Sequence, residues 1–255
     1  MQIHFWKITA AGNDFVLIDD RPALFQSNAP ALAQKFCDRR FGIGGDGTIF
    51  IRNYPECDFE MAYFNPDGSG PAMCGNGSRA AVLFVHDNAI CVKGSYRFLA
   101  ADGEHSGVYK NGNVAITVRK PIELKIETFN GNEVFRVDTG VPHLVVLTKN
   151  LAQIDIRNIA PKLRKTFDAN VNFIEQNKDG RWAIRTYERG VEDETLACGT
   201  GATAAAYMVS KLFDQTFPIR LIARGGELQI DETNDTFWLS GPTKSVFTGT
   251  IEINL

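Results

Sequence analysis

Cys74-Gly75-Asn76-Gly77 and Cys198-Gly199-Thr200-Gly201 are the segments of this chain best suited to chemistry. Each opens an apolar run, through Val85 in the first case and Val209 in the second. Such a run after a glycine-rich start predicts a helix whose first turn is the Cys-Gly-x-Gly segment. The leading N–H groups of a helix have no internal partner and carry partial positive charge, so they suit an anion such as a carboxylate. Glycine lets a ligand approach that backbone closely. A cysteine at this place has its thiol pKa lowered from about 8.5, which makes a thiolate accessible. If two halves packed about a pseudo-twofold axis, both helix starts would face one cleft and hold a carboxylate from both sides. The two sulfurs would then flank the carbon attached to it. That is the equipment for inverting a stereocentre. One thiolate removes the α-proton, a thiol on the opposite face returns one, and preorganised N–H donors stabilise the charge that develops on the carboxylate.

The elements that must position these residues come from an internal repeat. Met73–Val85 aligns with Ala197–Val209 without a gap, and six of the thirteen positions are identical. Tyr63 and Tyr187 stand at the same distance, eleven residues, before Cys74 and Cys198. Gly12 before Asn13-Asp14-Phe15-Val16 corresponds to Gly140 before Val141-Pro142-His143-Leu144. Strands are expected over Asp14–Asp20, Thr48–Arg52 and Asp58–Phe64. Hairpins are expected at Asn111-Gly112, Lys178-Asp179-Gly180 and Thr233-Asn234-Asp235. Two further helices are expected over Pro30–Asp38 and Pro161–Phe167, each with Pro at or near its first turn. The two helices after the cysteines are apolar almost all the way round, the pattern of a helix buried on every side. The expected fold class is therefore α+β, with two pseudo-symmetric domains, each a β-sheet or barrel wrapped around a buried central α-helix. A seam near Arg119-Lys120-Pro121 gives a first half of residues 1–118, completed by a terminal strand 246–255, and a second half of residues 119–245.

Composition narrows the function classes. The 255 residues carry a net charge of -3, with 44% hydrophobic and 22% charged residues, as expected of a folded protein. That small acidic balance argues against binding nucleic acid or an anionic membrane through bulk charge. No run approaches the roughly 18 apolar residues of a membrane span. Met1–Ile8 alternates like a strand and lacks a basic segment followed by an apolar core, so the cytoplasm is the expected compartment. Five cysteines, an odd number, argue against a disulfide framework and turn attention to thiols. Cys37, Cys57 and Cys91 have no helix-start setting and read as packing residues. The four histidines are dispersed, at 4, 86, 105 and 143, with no zinc-type spacing. Gly42-Ile43-Gly44-Gly45-Asp46-Gly47 is glycine-rich but leads into a strand, the wrong context for a phosphate loop. Neither a metal nor an organic cofactor is expected.

Several segments in order carry a family resemblance. They are Gly12-Asn13-Asp14-Phe15, Phe41-Gly42-Ile43-Gly44-Gly45-Asp46, Phe64-Asn65-Pro66-Asp67-Gly68-Ser69, Met73-Cys74-Gly75-Asn76-Gly77, Pro142-His143, Val171-Asn172-Phe173, Tyr187-Glu188-Arg189-Gly190 and Glu194-Thr195-Leu196-Ala197-Cys198-Gly199-Thr200-Gly201. Over nearly its whole length the chain resembles the diaminopimelate epimerase family. The resemblance implies a cofactor-independent isomerase that interconverts LL- and meso-2,6-diaminopimelate for lysine and peptidoglycan precursor synthesis, and it implies a homodimer. Carried over by position, Cys74 and Cys198 would be the acid/base pair. Gly75, Asn76, Gly199 and Thr200 would give backbone N–H bonds to the α-carboxylate. Asn13, Asn65, Asn172 and Arg189 would hold the ammonium groups and the distal carboxylate. His143 and Glu188 would lie beside the two thiols and set their protonation, with Glu188 also near the substrate. An imidazole can take a thiol proton, and a carboxylate tends to keep its thiol protonated. The sequence leaves open which of the two serves which sulfur. The chain departs from the family pattern at Val141, where Asn often precedes Pro-His, at Gly47, where some members carry Gln, and at Glu192-Asp193, which adds one residue before Cys198.

Three other readings compete. Proline and hydroxyproline racemases also use two cysteines, but their first motif usually has His where Asn76 stands, and Arg189 suggests a second carboxylate that proline lacks. Phenazine-type isomerases lack the cysteine pair. A redox sensor or a non-catalytic amino-acid binder would not need thiols on both faces of an α-carbon, and there is no C-x-x-C.

Overall fold

The computed structural model describes residues 1–91 and 93–253. In chain order the elements begin with β1 (Gln2–Ala10), β2 (Asn13–Asp19), α1 (Ala29–Cys37), β3 (Gly47–Arg52), β4 (Phe59–Phe64), α2 (Gly75–Asp87), β5 (Ser95–Ala100), β6 (Gly103–Lys110) and β7 (Asn113–Val118). There follow β8 (Ile122–Phe129), β9 (Asn132–Asp138), β10 (Pro142–Leu147), α3 (Ile156–Phe167), β11 (Asn170–Gln176), β12 (Trp182–Glu188), β13 (Asp193–Thr195), α4 (Gly199–Leu212), β14 (Ile219–Ala223), β15 (Gly226–Thr233), β16 (Thr236–Gly241) and β17 (Thr243–Glu252). The chain divides into two compact units, Met1–Ile116 with the stretch from Pro242 onward, and Thr117–Gly241. The return to the first unit thus begins at Pro242 rather than at residue 246. β17 enters its pairing with β1 at Ala10↔Thr243, and a bulge opposite Lys7/Ile8 then absorbs one residue without ending the strand.

In the first unit β1 lies antiparallel between β17 and β2, β2 runs parallel to β3, and β3 is antiparallel to β4. β4 runs parallel to β5, and β5, β6 and β7 form an antiparallel meander. The β6–β7 turn is Asn111-Gly112, with φ of 52° and 79°, the positive values that favour those residue types. α2 contacts β1, β2, β3, β4, β6 and β17, and every residue from Gly75 to Val85 is buried. α1 covers another face, where Leu32, Ala33 and Phe36 join Val16, Ile18 and Phe50 in one core. Both α1 and α2 contact β3, and all six residues of β3 are buried, as expected of a strand covered on both faces.

The second unit repeats this order. β10 runs parallel to β11, β11 is antiparallel to β12, β12 runs parallel to β14, and β14, β15 and β16 form a meander. α4 contacts β9, β10, β11, β14 and β15. α3 lies on the β11–β12 side through Ile156, Ala160 and Leu163. It starts at Ile156, one turn before the expected Pro161, so the proline sits in the helix interior. The ring removes one helical hydrogen bond there, and Arg157, the residue four before it, is exposed. No helix among the described residues is long and apolar enough to cross a membrane.

Candidate active site

In the first unit Cys74 is the N-cap of α2, with extended backbone (φ -139°, ψ 112°), and its Sγ accepts the Gly77 N–H at 3.3 Å. An N–H aimed at the sulfur favours the thiolate over the thiol. Asn76, in the same turn, is buried and donates through Nδ2 to Asn13 Oδ1 at 2.8 Å. Asn13 in turn donates to Asp46 Oδ2 at 3.0 Å. Asp46 is held by Arg39, which also binds Asp14, and Asp14 pairs with Lys7 at 2.7 Å. Burial raises the Asp14 pKa, but the hydrogen bonds from Arg39 and Lys7 outweigh it and hold the carboxyl below the usual range. Asn13 and Asn76 are therefore fixed to each other beside the helix start. Asn65 touches this group through Tyr63, whose hydroxyl lies 3.2 Å from the Asp46 carbonyl and 3.0 Å from Asn65 Oδ1. Asn65 Nδ2 donates to Ser69 Oγ at 3.0 Å within the turn that follows β4.

In the second unit Cys198 is the N-cap of α4 and its Sγ accepts the Gly201 N–H at 3.4 Å. Thr200 Oγ1 lies 3.3 Å from the same sulfur. A Cβ on Gly201 would sit 2.1 Å from Asn172 Oδ1, so glycine is required because Asn172 packs directly against the first turn of α4. Asn172 is fully buried on β11. Its Oδ1 accepts from Thr186 on β12 at 3.0 Å, and its Nδ2 donates to the Leu144 carbonyl at 2.9 Å and faces His143 Nδ1 at 3.1 Å. With Nδ2 donating, Nδ1 of His143 accepts and the ring proton belongs on Nε2. That Nε2 is buried without a hydrogen-bond partner. Burial, helped by the Arg189 cation, pushes the His143 pKa down to about 3, so the ring is neutral. Here His143 is a hydrogen-bonding imidazole and a poor place to store a proton.

Glu188 and Arg189 follow at the end of β12. Glu188 Oε1 accepts a short hydrogen bond from Thr195 Oγ1. The Arg189 N–H donates to Asn170 Oδ1 at 2.8 Å, and its guanidinium pairs with Asp168 at 3.0 Å. Asp168 is the left-handed cap of α3, with φ 47° and ψ 49°. Glu192 lies in the turn between β12 and β13, where its N–H closes on the Glu188 carbonyl at 2.8 Å, and Asp193 opens β13. Gly47 is fixed by packing, since a Cβ there would lie 2.2 Å from the Tyr63 ring. Arg79, Thr186 and Asp168 carry no motif in the sequence; Arg79 alone stands out, as the one charged residue in the run Gly75–Val85. The other cysteines differ in setting. Cys37 is buried, while Cys57 and Cys91 are only half-buried, and burial raises all three thiols.

The fold defines the broad class. It is similar to a phenazine biosynthesis protein of the PhzF family from Bacillus anthracis, with a TM-score of 0.79 at 14% identity over 99% of this chain and 100% of that one. It is also similar to a hydroxyproline epimerase from Agrobacterium vitis, with a TM-score of 0.69 at 11% identity over 98% and 92% of the two chains. At these identities the likeness is one of fold. Sequence narrows the class further. Residues 5–131 and 135–248 match the family described as diaminopimelate epimerase. The diaminopimelate epimerase of Flavobacterium psychrophilum is 40% identical over 259 residues, covering 96% of this chain and 99% of the relative. That of Aquifex aeolicus is 39% identical, covering 97% of each. The chain belongs to the diaminopimelate epimerase family.

Proposed function

We propose that this chain interconverts LL- and meso-2,6-diaminopimelate by a two-thiol mechanism without a cofactor. The observation that carries the reading is the recurrence, once in each unit, of a cysteine that caps a buried helix and accepts the N–H three residues on. In this mechanism one thiolate takes the α-proton, so that its S–H bond forms as the C–H bond breaks. The electron pair moves into the α-carboxylate, where backbone N–H groups of Gly75, Asn76, Gly199 and Thr200 stabilise it. The thiol on the opposite face gives its proton to the α-carbon and becomes the thiolate. Asn13, Asn65, Asn172 and Arg189 hold the ammonium groups and the distal carboxylate. Arg189 must leave Asp168, and the partial exposure of that pair makes the exchange inexpensive. Neutral His143 acts on its thiol as a hydrogen-bonding imidazole, not as a proton store, and Glu188 favours the protonated form of its thiol. Reduced thiols suit a cytoplasmic enzyme, and the family resemblance adds a homodimer and a place in lysine and peptidoglycan precursor synthesis.

The test is an assay on the separate diaminopimelate isomers, with proline as control. Conversion of diaminopimelate alone is expected. Turnover of proline with diaminopimelate untouched would assign the chain to the racemases instead.

A further inference from the structure

Along the buried length of α2, Gly75–Val85, the one charged side chain is Arg79, and it is fully buried. Its guanidinium turns back onto the first turn of its own helix. Nη2 donates to Asn76 Oδ1 at 2.8 Å and Nη1 to the Gly75 carbonyl at 3.4 Å, while Nε has no hydrogen-bond partner. Among the described residues no carboxylate pairs with it. On the strands packed against α2, Lys7 pairs with Asp14, Arg52 with Asp20 and His105 with Asp102. A buried cation without a counter-ion is costly, so some anion must offset it. The two groups the guanidinium bonds belong to the residues directly after Cys74, whose sulfur caps the same turn, so Cys74 is placed to supply that negative charge, and its charge favours the Arg79 cation. Burial lowers the Arg79 pKa to about 10, which still leaves it protonated at neutral pH. In the repeat the equivalent position is Thr203, whose neutral hydroxyl donates to the Gly199 carbonyl at 2.9 Å. The two helix starts therefore share a cap but differ by a charge one turn in.

We propose that Arg79 is a positioning residue whose buried charge holds Cys74 as the thiolate before substrate binds, its proton released to water. The same side chain fixes Asn76 Oδ1 and so orients the Asn76–Asn13 pair. The inference rests on Cys74 being one of the two acid/base thiols, and its test needs no turnover.

The experiment is the pH dependence of iodoacetamide alkylation at Cys74 in substrate-free enzyme, followed by peptide mass spectrometry with Cys198 as internal reference. In the unaltered enzyme the Cys74 midpoint should lie below the value of about 8.5 for an ordinary thiol. In Arg79→Met it should rise by about one unit or more, which makes alkylation near neutral pH about tenfold slower. Arg79→Lys should restore most of the shift, and Cys198 should keep its midpoint in both variants. A folded Arg79→Met protein with an unmoved Cys74 midpoint would overturn the proposal, as would equal movement of both cysteines. If Arg79→Met does not fold, a Cys74 midpoint at or above the ordinary thiol value in the unaltered enzyme overturns it equally. Failure of the diaminopimelate assay would leave these midpoints readable, so the two readings fail separately.

Discussion

Gly201→Ala should be far more damaging than Gly77→Ala, although the two glycines hold the same place in the repeat. At position 201 a Cβ meets Asn172 Oδ1 at 2.1 Å and Asn172 Cγ at 3.1 Å. Ordinary contact needs about 3.5 Å, so the amide must retreat by more than an ångström. Asn172 is fully buried and bonded to Thr186, Leu144 and His143, so a retreat strips partners from buried polar groups. Each group left unpaired costs about 1–3 kcal/mol. Alanine returns about 0.5–1 kcal/mol of backbone entropy, for a net loss of about 2–4 kcal/mol. At position 77 the nearest atom is Ile49 Cδ1 at 3.2 Å, the mobile end of a side chain. There the two effects nearly cancel, and stability should stay within about 1 kcal/mol of the parent. Urea unfolding of both variants reads the difference. Asn172→Ser, which shortens the obstructing side chain, should recover part of the Gly201→Ala loss, with a coupling of about 1 kcal/mol or more in the double-mutant cycle. Equal losses at 77 and 201, or strict additivity with Asn172→Ser, would refute the packing account.

Other expectations follow from the same geometry. Arg189→Ala should raise KM for diaminopimelate about tenfold or more if, as proposed, the guanidinium makes a charge-assisted bond to the distal carboxylate. Unfolding stability should change by less than about 1 kcal/mol, since the pair with Asp168 is partly exposed. His143 is neutral in the fold with its pKa pushed down to about 3, against 6.5 when unfolded. The unfolded chain therefore binds the extra proton between those values, and stability should fall as pH drops from about 6.5 towards 3, by roughly 3–5 kcal/mol in all. His143→Asn should flatten that part of the pH–stability curve, and an unchanged slope would exclude His143 as its source. Asp20 is fully buried and pairs with Arg52 at 2.8 Å, so Asp20→Asn should cost about 3–5 kcal/mol by leaving a buried guanidinium uncompensated. A chemical melt within 1 kcal/mol of the parent would contradict that estimate.

What could be read from the residues was the local and repeating part. The starts of α2 and α4 followed from Cys-Gly-x-Gly because a glycine-rich, thiol-capped turn before an all-apolar run has few other solutions. Asn111-Gly112 marked its hairpin because both residues adopt positive φ readily. Asn130-Gly131, with φ of 50° and 77°, turns the β8–β9 hairpin in the same way, but the pattern that flanks it hides it in the sequence. The strand before it, β8, is exposed or half-exposed along its length and shows no buried face to alternate. Pro161 misplaced the start of α3, since a proline is more at home in a first turn than in a helix interior. Partnerships across elements were out of reach. That Tyr63 joins Asn65 to Asp46, that Arg189 pairs with Asp168, and that Asn172 fills the space a Cβ at 201 would need are facts of packing between distant positions. Arg79 was visible as a residue, but one charge does not break an apolar helix pattern. Its meaning depends on a burial that only tertiary structure supplies.

The most direct test of the two-thiol reading is the epimerisation of LL-diaminopimelate in deuterated water by the parent enzyme and by Cys74→Ser and Cys198→Ser. The account predicts solvent deuterium at the inverted α-carbon as the meso isomer forms, and epimerisation lowered by orders of magnitude in each serine variant. Full epimerase activity in either variant, or conversion without deuterium uptake, would contradict it.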